Sequence, residues 1–343
     1  MMPIRTALIG YGVAGRVFHA PFVAAYDTYQ LDVVVTADPE RAATARQRYP
    51  GARIVSTVDD VWRYADELDL VVVATPPASH VALARQALAH RLHVVVDKPF
   101  APSAAEARAL IEAAERAGRV LTVFQNRRFD GDFRTVRRLI GEGALGDVYT
   151  FESRFEWWKP QGAGRWKATT RIADGGGILY DLGTHLIDQA LVLFGEVTDV
   201  WADPVRRAED AATDADDDTF VALRHAGGTR SRLVMSSRSA LPGPRFHVLG
   251  SRAAFTTWGL DPQEAALAAG ASPTDPDFGV EPADHRGVLG AGTDVHDVTG
   301  ERGDYGAFYR GLADAVLDGA PVPVDPRDAV AVLDIIERIH RTA

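Results

Sequence analysis

From residue 4 to residue 124, short apolar strands alternate with helical stretches, and that period constrains the fold more than anything else in the chain. Residues 4–10, 31–36, 68–74, 92–96 and 120–124 are runs of Val, Ile, Leu and Ala with almost no polar face. Strands of that kind are buried on both sides, which happens when helices cover both faces of a parallel sheet. Residues 14–26, 39–49, 59–65, 79–89 and 103–117 read as the intervening helices. Such alternation implies right-handed crossovers and a doubly wound parallel sheet.

Beyond residue 124 the rhythm changes. Longer strands are expected at 148–158, 197–202, 219–225, 229–237 and 245–249. Phe151, Ser153, Phe155 and Trp157 alternate with Glu152, Arg154 and Glu156, the mark of antiparallel strands with one buried face. Helices are expected at 133–141, 179–194, 305–318 and 325–340, and the Gly-, Pro-, Ala- and Asp-rich stretch 259–303 reads as a long loop region. At 343 residues the chain exceeds what one core usually supports, so two domains are expected. They are an α/β dinucleotide-binding domain at 1–124 and an α+β domain with a mixed, mostly antiparallel sheet at 125–343.

The charge balance narrows the partners. The net charge is −10, with much of the acidic excess at 209–218, which disfavours nucleic acid because duplex binding needs a basic face. The run Asp214-Ala215-Asp216-Asp217-Asp218 is read as solvated surface, not as a cation site. No apolar run approaches the roughly 20 residues of a membrane-spanning helix, so no membrane partner is expected. Residues 1–5 lead into a strand without the features of a secretory leader, and the expected location is cytoplasmic. With no cysteine, a metal would need His and carboxylate alone, and none is expected.

Where the fourth of these strands runs out stands Lys98, in the turn Asp97-Lys98-Pro99-Phe100. Ligands of doubly wound sheets bind beyond the carboxyl ends of the strands, so Lys98 is aimed at a site. Pro99 disfavours a helical backbone at Lys98 and keeps it extended. After the first strand, Gly10-Tyr11-Gly12-Val13-Ala14-Gly15 opens a helix. Its glycines suit a tight turn, the approach of a pyrophosphate and close helix packing, and the helix N-terminus suits the anion. Near the end of the second strand a carboxylate would hold a ribose 2′-hydroxyl, and an arginine would accept a 2′-phosphate. Here Thr36 takes that place, with Asp38 and Arg41 following, so the signal is divided; Asp38 also suits a helix N-cap ahead of Pro39. Thr75 and Pro76 lie in a loop on the same edge of the sheet, suited to wall the nicotinamide half. His80, close behind, reads as a surface or capping residue outside the chemistry, though adjoining the cofactor loop.

In the second half, Asp174-Gly175-Gly176-Gly177 precedes a helix on which Asp181 and His185 stand at i and i+4, stacked on one face. A carboxylate at that distance can fix the imidazole tautomer and raise its basicity. With Lys98 they make a three-group site between the domains. Arg154, Trp157, Arg165 and Trp166 are candidates for holding polyol hydroxyls or stacking on a sugar ring.

These residues together resemble the Gfo/Idh/MocA oxidoreductases. The glycine loop, Ala74-Thr75-Pro76 with His80, Asp97-Lys98-Pro99 and the Gly-rich segment leading to Asp181 and His185 carry the likeness. Phe18-His19-Ala20-Pro21, the string Gln125-Asn126-Arg127-Arg128-Phe129-Asp130 and Tyr180-Asp181-Leu182-Gly183-Thr184-His185 are similar to the branch containing NADP-dependent scyllo-inositol dehydrogenases. The resemblance implies a Rossmann domain, an open-faced sheet domain that forms homodimers or homotetramers, and a catalytic group of Lys98, Asp181 and His185. It implies hydride transfer between nicotinamide C4 and a secondary hydroxyl or ketone of a cyclitol or sugar. The alternatives are a ketosugar reductase or dehydrogenase of a biosynthetic pathway and a non-catalytic dinucleotide-binding sensor. Asp97 stands where the family has glutamate, and Ala37 where branch members commonly carry arginine. The cofactor is therefore expected as NAD(P), with NAD and NADP both open.

Overall fold

The computed structural model describes residues 2–159, 169–208, 213–282 and 285–342. Packing divides them into two units. The first comprises Met1–Asn126, Gln263–Phe278 and Asp304–Val330, and the second comprises Arg127–Pro262, Gly279–Gly303 and Ala331–Ala343. A single cut near residue 124 does not describe this division, because two later segments rejoin the first unit.

The first unit holds six strands: β1 (Ile4–Ile9), β2 (Tyr29–Val35), β3 (Arg53–Val55), β4 (Leu70–Val73), β5 (His93–Asp97) and β6 (Leu121–Phe124). They pair in the order β3-β2-β1-β4-β5-β6, all parallel. Val33, Val34, every residue of β4, and Val94, Val95 and Val96 are fully buried, as two-sided helix cover requires. The strand order reverses between β1 and β4, so the loops after those strands flank the crevice where doubly wound sheets bind ligands. Helix Ala104–Ala117 shows how local sequence sets an element. The Ser103 hydroxyl caps the helix by accepting from Glu106 N, and it donates to the Glu106 carboxylate, while Gly118 ends the helix at φ 62°.

The second unit is built on eight strands: β7 (Val148–Glu156), β8 (Val197–Val205), β9 (Asp218–His225), β10 (Arg230–Ser236), β11 (Phe246–Gly250), β12 (Ala254–Thr257), β13 (Gly287–Ala291) and β14 (Asp294–Val298). Their order is β14-β13-β12-β11-β7-β10-β9-β8, with β7 and β10 parallel and every other pair antiparallel. Phe151, Ser153 and Phe155, with Leu233, Met235, Phe246 and Val248 from neighbouring strands, form the buried face. The stretch expected as a loop, 259–303, instead carries helix Gln263–Ala269 and strands β13 and β14. Glycines at 287 and 290 interrupt the apolar pattern of β13. The edge strand β14 exposes Asp294 through Asp297, so neither strand shows the alternation of a half-buried strand.

Candidate functional site

In the first unit the glycine loop follows β1. Gly10 has φ 101°, a conformation that side-chain-bearing residues rarely adopt, and a Cβ there would lie 2.5 Å from the Ala74 carbonyl oxygen. A Cβ on Gly15 would fall 1.9 Å from the Gly10 carbonyl oxygen, so the helix start packs directly on the turn. Gly12 differs: its Cβ would meet open space, with only an Arg41 guanidinium nitrogen at 3.9 Å. The loop thus leaves its backbone approachable at Gly12 and sets a cation beside the opening, which fits a dinucleotide's phosphates at a helix N-terminus. Tyr11 is buried with its ring edge-on to Tyr49, so it serves by its backbone, while Val13 is exposed. The helix opens as a π-turn over Ala14–His19 before becoming α over Ala20–Ala25, where the sequence predicts one continuous helix.

Asp38 is an N-cap. One carboxylate oxygen accepts from the backbone N–H groups of Glu40 and Arg41, each at 3.0 Å, and the other lies 3.6 Å from Arg41 Nε. Its capping role, one of two readings the sequence allows, is what the structure displays. Thr36 is buried and its hydroxyl accepts from Asp38 N, while Ala37 is exposed.

Thr75 borders the glycine loop, its methyl 3.1 Å from where a Gly10 Cβ would stand. Its hydroxyl bonds that of Ser79 at 2.7 Å, and Ser79 donates to the Pro76 carbonyl, which ties the loop. His80 is neither surface nor cap. It is fully buried, with Nδ1 2.8 Å from the Pro99 carbonyl oxygen and Nε2 2.8 Å from that of Thr75. A buried ring held by two carbonyls has no face for a cofactor. The sequence misleads here because a histidine at a helix start ordinarily faces water.

Asp97 ends β5, and one of its carboxylate oxygens accepts from Lys98 N at 2.8 Å, so the shorter acid holds its own turn. Lys98 is half-buried beyond the strand end, and the Lys98–Pro99 peptide is cis. Lysine occurs only at 98, 159 and 167, while arginine supplies the rest of the 37 basic residues. That scarcity is a further signal in the sequence: a chain that uses arginine almost throughout keeps a compact ammonium here.

In the second unit, Asp181 lies in a π-turn, Leu179–Gly183, which leads into helix Thr184–Phe194 carrying His185. π-turns inside helices occur frequently at functional sites. Asp181 is half-buried, and His185 is buried at 4% exposure. The His185 ring stands edge-on to Phe155 at 6.2 Å. Phe155 in turn stacks on Trp157 at 5.8 Å and lies under the Arg245 guanidinium at 4.0 Å. Trp157 thus belongs to the aromatic wall that reaches His185.

Arg154 does not. It sits on the opposite face of β7, ion-paired with Glu152 at 2.9 Å, and Glu152 also holds Arg232 at 2.8 Å. The period of two along a strand sends Arg154 away from Phe155. Arg165 and Trp166 lie outside the described residues.

Two features escape a reading of the sequence. Asp188, buried one helical turn beyond His185, binds the half-buried Arg128 bidentately at 2.5 and 2.7 Å. Asp216, from the acidic run, is buried and accepts from Leu179 N at 3.0 Å and from the Thr219 hydroxyl. A Cβ on Gly177 would overlap its carboxylate at 2.0 Å, so this glycine makes room for the cap. Burial pushes the Asp216 carboxyl up to about 6. Asp214 accepts from Ile172 N, and Asp217 pairs with Arg238. The reading as solvated surface therefore holds for Asp214, which is exposed, and fails for Asp216, whose buried carboxylate fastens the segment that leads to Asp181.

Comparisons with known proteins agree with this architecture. Residues 4–125 match the model of an oxidoreductase family with an NAD-binding Rossmann fold, and residues 133–256 match the GFO/IDH/MocA C-terminal domain. The chain belongs to the Gfo/Idh/MocA oxidoreductase family. It is 32% identical over 338 residues to a scyllo-inositol 2-dehydrogenase (NADP(+)) of Bacillus subtilis, covering 97% of this chain and 92% of that protein. A D-apiose dehydrogenase of Paraburkholderia graminis is 31% identical over 231 residues, covering 66% of this chain and 59% of that one. The solved structure of the Bacillus subtilis protein yvaA superposes with a TM-score of 0.90 at 32% identity, covering 99% of this chain and 96% of that one. This chain is an NAD(P)-dependent oxidoreductase with a Rossmann domain.

Proposed function

We propose that the chain transfers a hydride between nicotinamide C4 and a secondary carbinol or ketone of a cyclitol or sugar, with a scyllo-inositol-type polyol first among candidates. The carrying observation is that Asp181 and His185 stand four residues apart on one short helical segment, with the His185 ring edge-on to Phe155 in the aromatic wall of Phe155 and Trp157. When bound, the nicotinamide accepts or supplies the hydride. The backbone at Gly12 would hold the pyrophosphate of the bound dinucleotide, Arg41 would take a 2′-phosphate where the cofactor has one, and Thr75 and Pro76 would wall the nicotinamide half.

On the substrate side, His185 takes the carbinol proton in oxidation and returns it in reduction, since an imidazole exchanges protons near neutrality. Asp181 orients that imidazole or a neighbouring hydroxyl. Lys98 serves as a fixed positive charge for the developing alkoxide. Trp157 offers an apolar face to a ring, and no role falls to Arg154, whose charge is already paired.

Initial rates across cyclitols and aldoses, each with NAD and with NADP, test the assignment. Lys98→Ala and His185→Ala are expected to lower kcat by roughly 10²- to 10⁴-fold with the best substrate. Wild-type turnover in both variants would remove the assignment. Tight nicotinamide binding with no turnover of any polyol would instead favour a dinucleotide sensor.

A further inference from the structure

The first unit buries a histidine that no step above uses. His80 opens helix His80–Ala89, yet its ring points inward and both ring nitrogens face backbone carbonyls, Pro99 O from Nδ1 and Thr75 O from Nε2. Pro99 directly follows Lys98 in the turn after β5. Thr75 belongs to the loop after β4 and flanks Gly10. One imidazole therefore spans the two loops that carry the lysine and border the glycine turn.

We propose that His80 is a positioning residue that clamps the Lys98–Pro99 turn to the Thr75–Pro76 loop and so fixes where the Lys98 ammonium stands. The proposal rests on the reading of Lys98 as the site's ammonium. Carbonyls only accept hydrogen bonds, and a neutral imidazole has one N–H, so the neutral ring holds one loop and the imidazolium holds both. Burial pushes the imidazole below its ordinary value, the Lys98 charge acts in the same direction, and the two carbonyls oppose them. The other titratable group facing it is His19, itself fully buried and pushed down to about 3 by burial and by His80, so His19 adds no charge near neutrality. Raising the pH through the His80 transition thus releases one of the two loops.

The scarcity of lysine makes this measurable in the whole protein. Reductive methylation with ¹³C-formaldehyde labels Lys98, Lys159, Lys167 and the N-terminus while keeping their charge, and a Lys98→Arg variant assigns the Lys98 signal. In the wild type, that signal is expected apart from those of exposed lysines, with a step on the acid side of about 6.5, the ordinary histidine value. His80→Ala moves it to the exposed position and abolishes the step. His80→Gln, whose amide NH2 still donates to a carbonyl, restores most of its dispersion, whereas His80→Leu, which fills the space without a donor, does not. With a turned-over substrate, His80→Ala is expected to lower kcat about tenfold while leaving KM for the nicotinamide within about twofold, the split expected when an electrostatic group of the chemical step is misplaced. A Lys98 signal identical in wild type, His80→Gln and His80→Leu would overturn the proposal, and this comparison holds even if His80→Ala fails to fold. The NMR readout does not require turnover, so failure of the dehydrogenase reading and failure of the clamp are distinguishable.

Discussion

At the scale of single residues, charge type carries the information. Lys98 is one of three lysines in a chain whose other basic side chains are all arginine, and it stands at a strand end. A residue-by-residue reading finds it from its position alone. Arg41 is harder to read: its place in the sequence puts it a turn beyond the usual 2′-phosphate position, and only the fold shows its guanidinium beside the open side of Gly12. Asp38 caps the helix and approaches Arg41 Nε at 3.6 Å, so the carboxylate that would hold a ribose 2′-hydroxyl is already engaged. We propose that Arg41 receives a 2′-phosphate, since Ala37 offers no side chain to bind one. NADPH is expected to bind more tightly than NADH. Arg41→Ala should weaken NADPH by about tenfold, the value of one charge-assisted hydrogen bond of roughly 1.4 kcal/mol, and leave NADH nearly unchanged. Fluorescence titration of both nucleotides checks this, and equal weakening of the two would assign Arg41 to the shared pyrophosphate instead.

At the scale of elements, the legible part was the part with a strong period. Strands β1, β2, β4, β5 and β6 announce themselves by continuous apolar runs, and β7 by its alternation. By contrast β3, β12, β13 and β14 are three to five residues long, too short for a period to emerge. Nor does the sequence show that the helices bearing the glycine loop and the Asp181–His185 pair both open as π-turns, because apolar spacing over five or six residues does not separate π from α. The cap on the second of these is equally hidden, since Asp216 lies 37 positions from its partner Leu179. Its chemistry gives a pH dependence with a definite sign. Folding raises this carboxyl from 3.8 to about 6, so its favourable contribution is complete below about 4 and is lost as the pH rises towards 6. Asp216→Asn should remove that slope, and the thermal midpoint of the wild type should fall relative to the Asn variant between about pH 4 and pH 6.5. Parallel midpoints across that window would show the native carboxyl to be ionised. Asp216→Ala, which strands Leu179 N and the Thr219 hydroxyl, should cost roughly 1–3 kcal/mol near pH 4, and less as the pH rises through the window.

At the scale of the whole molecule, the chain returns to its first unit, and the reason is aromatic. Tyr309 stacks on Phe22 at 5.3 Å and bonds His19 Nδ1 at 2.6 Å, while Phe278 and Phe308 pack on Phe22 and Phe124. Helix 306–318 reads in the sequence as one more helix of the second half, because periodicity reports that a face is buried but not against what. The eight-stranded sheet raises the complementary question of its other face. Pairing across β8, β9 and β10 sets Trp201, Phe220 and Val234 on the side away from Leu223 and Met235, with Trp201 60% exposed and its ring 5.6 Å from that of Phe220. On the same face, Glu152 holds both Arg154 and Arg232 across β7 and β10, and with Glu156 two positions beyond Arg154 on β7 these four side chains carry no net charge to repel an identical surface. We propose that a second copy of the chain covers this face, since a two-fold contact needs a self-complementary patch and this one joins apolar residues to balanced charges. Sedimentation of the wild type is then expected to give a dimer or a tetramer. Trp201→Glu paired with Phe220→Glu should shift the distribution towards a smaller species while leaving nicotinamide binding intact, because two new carboxylates would be brought against their copies across the axis. A wild type that sediments as a monomer at micromolar concentration, or an unchanged oligomer in the double variant, would place the assembly surface elsewhere.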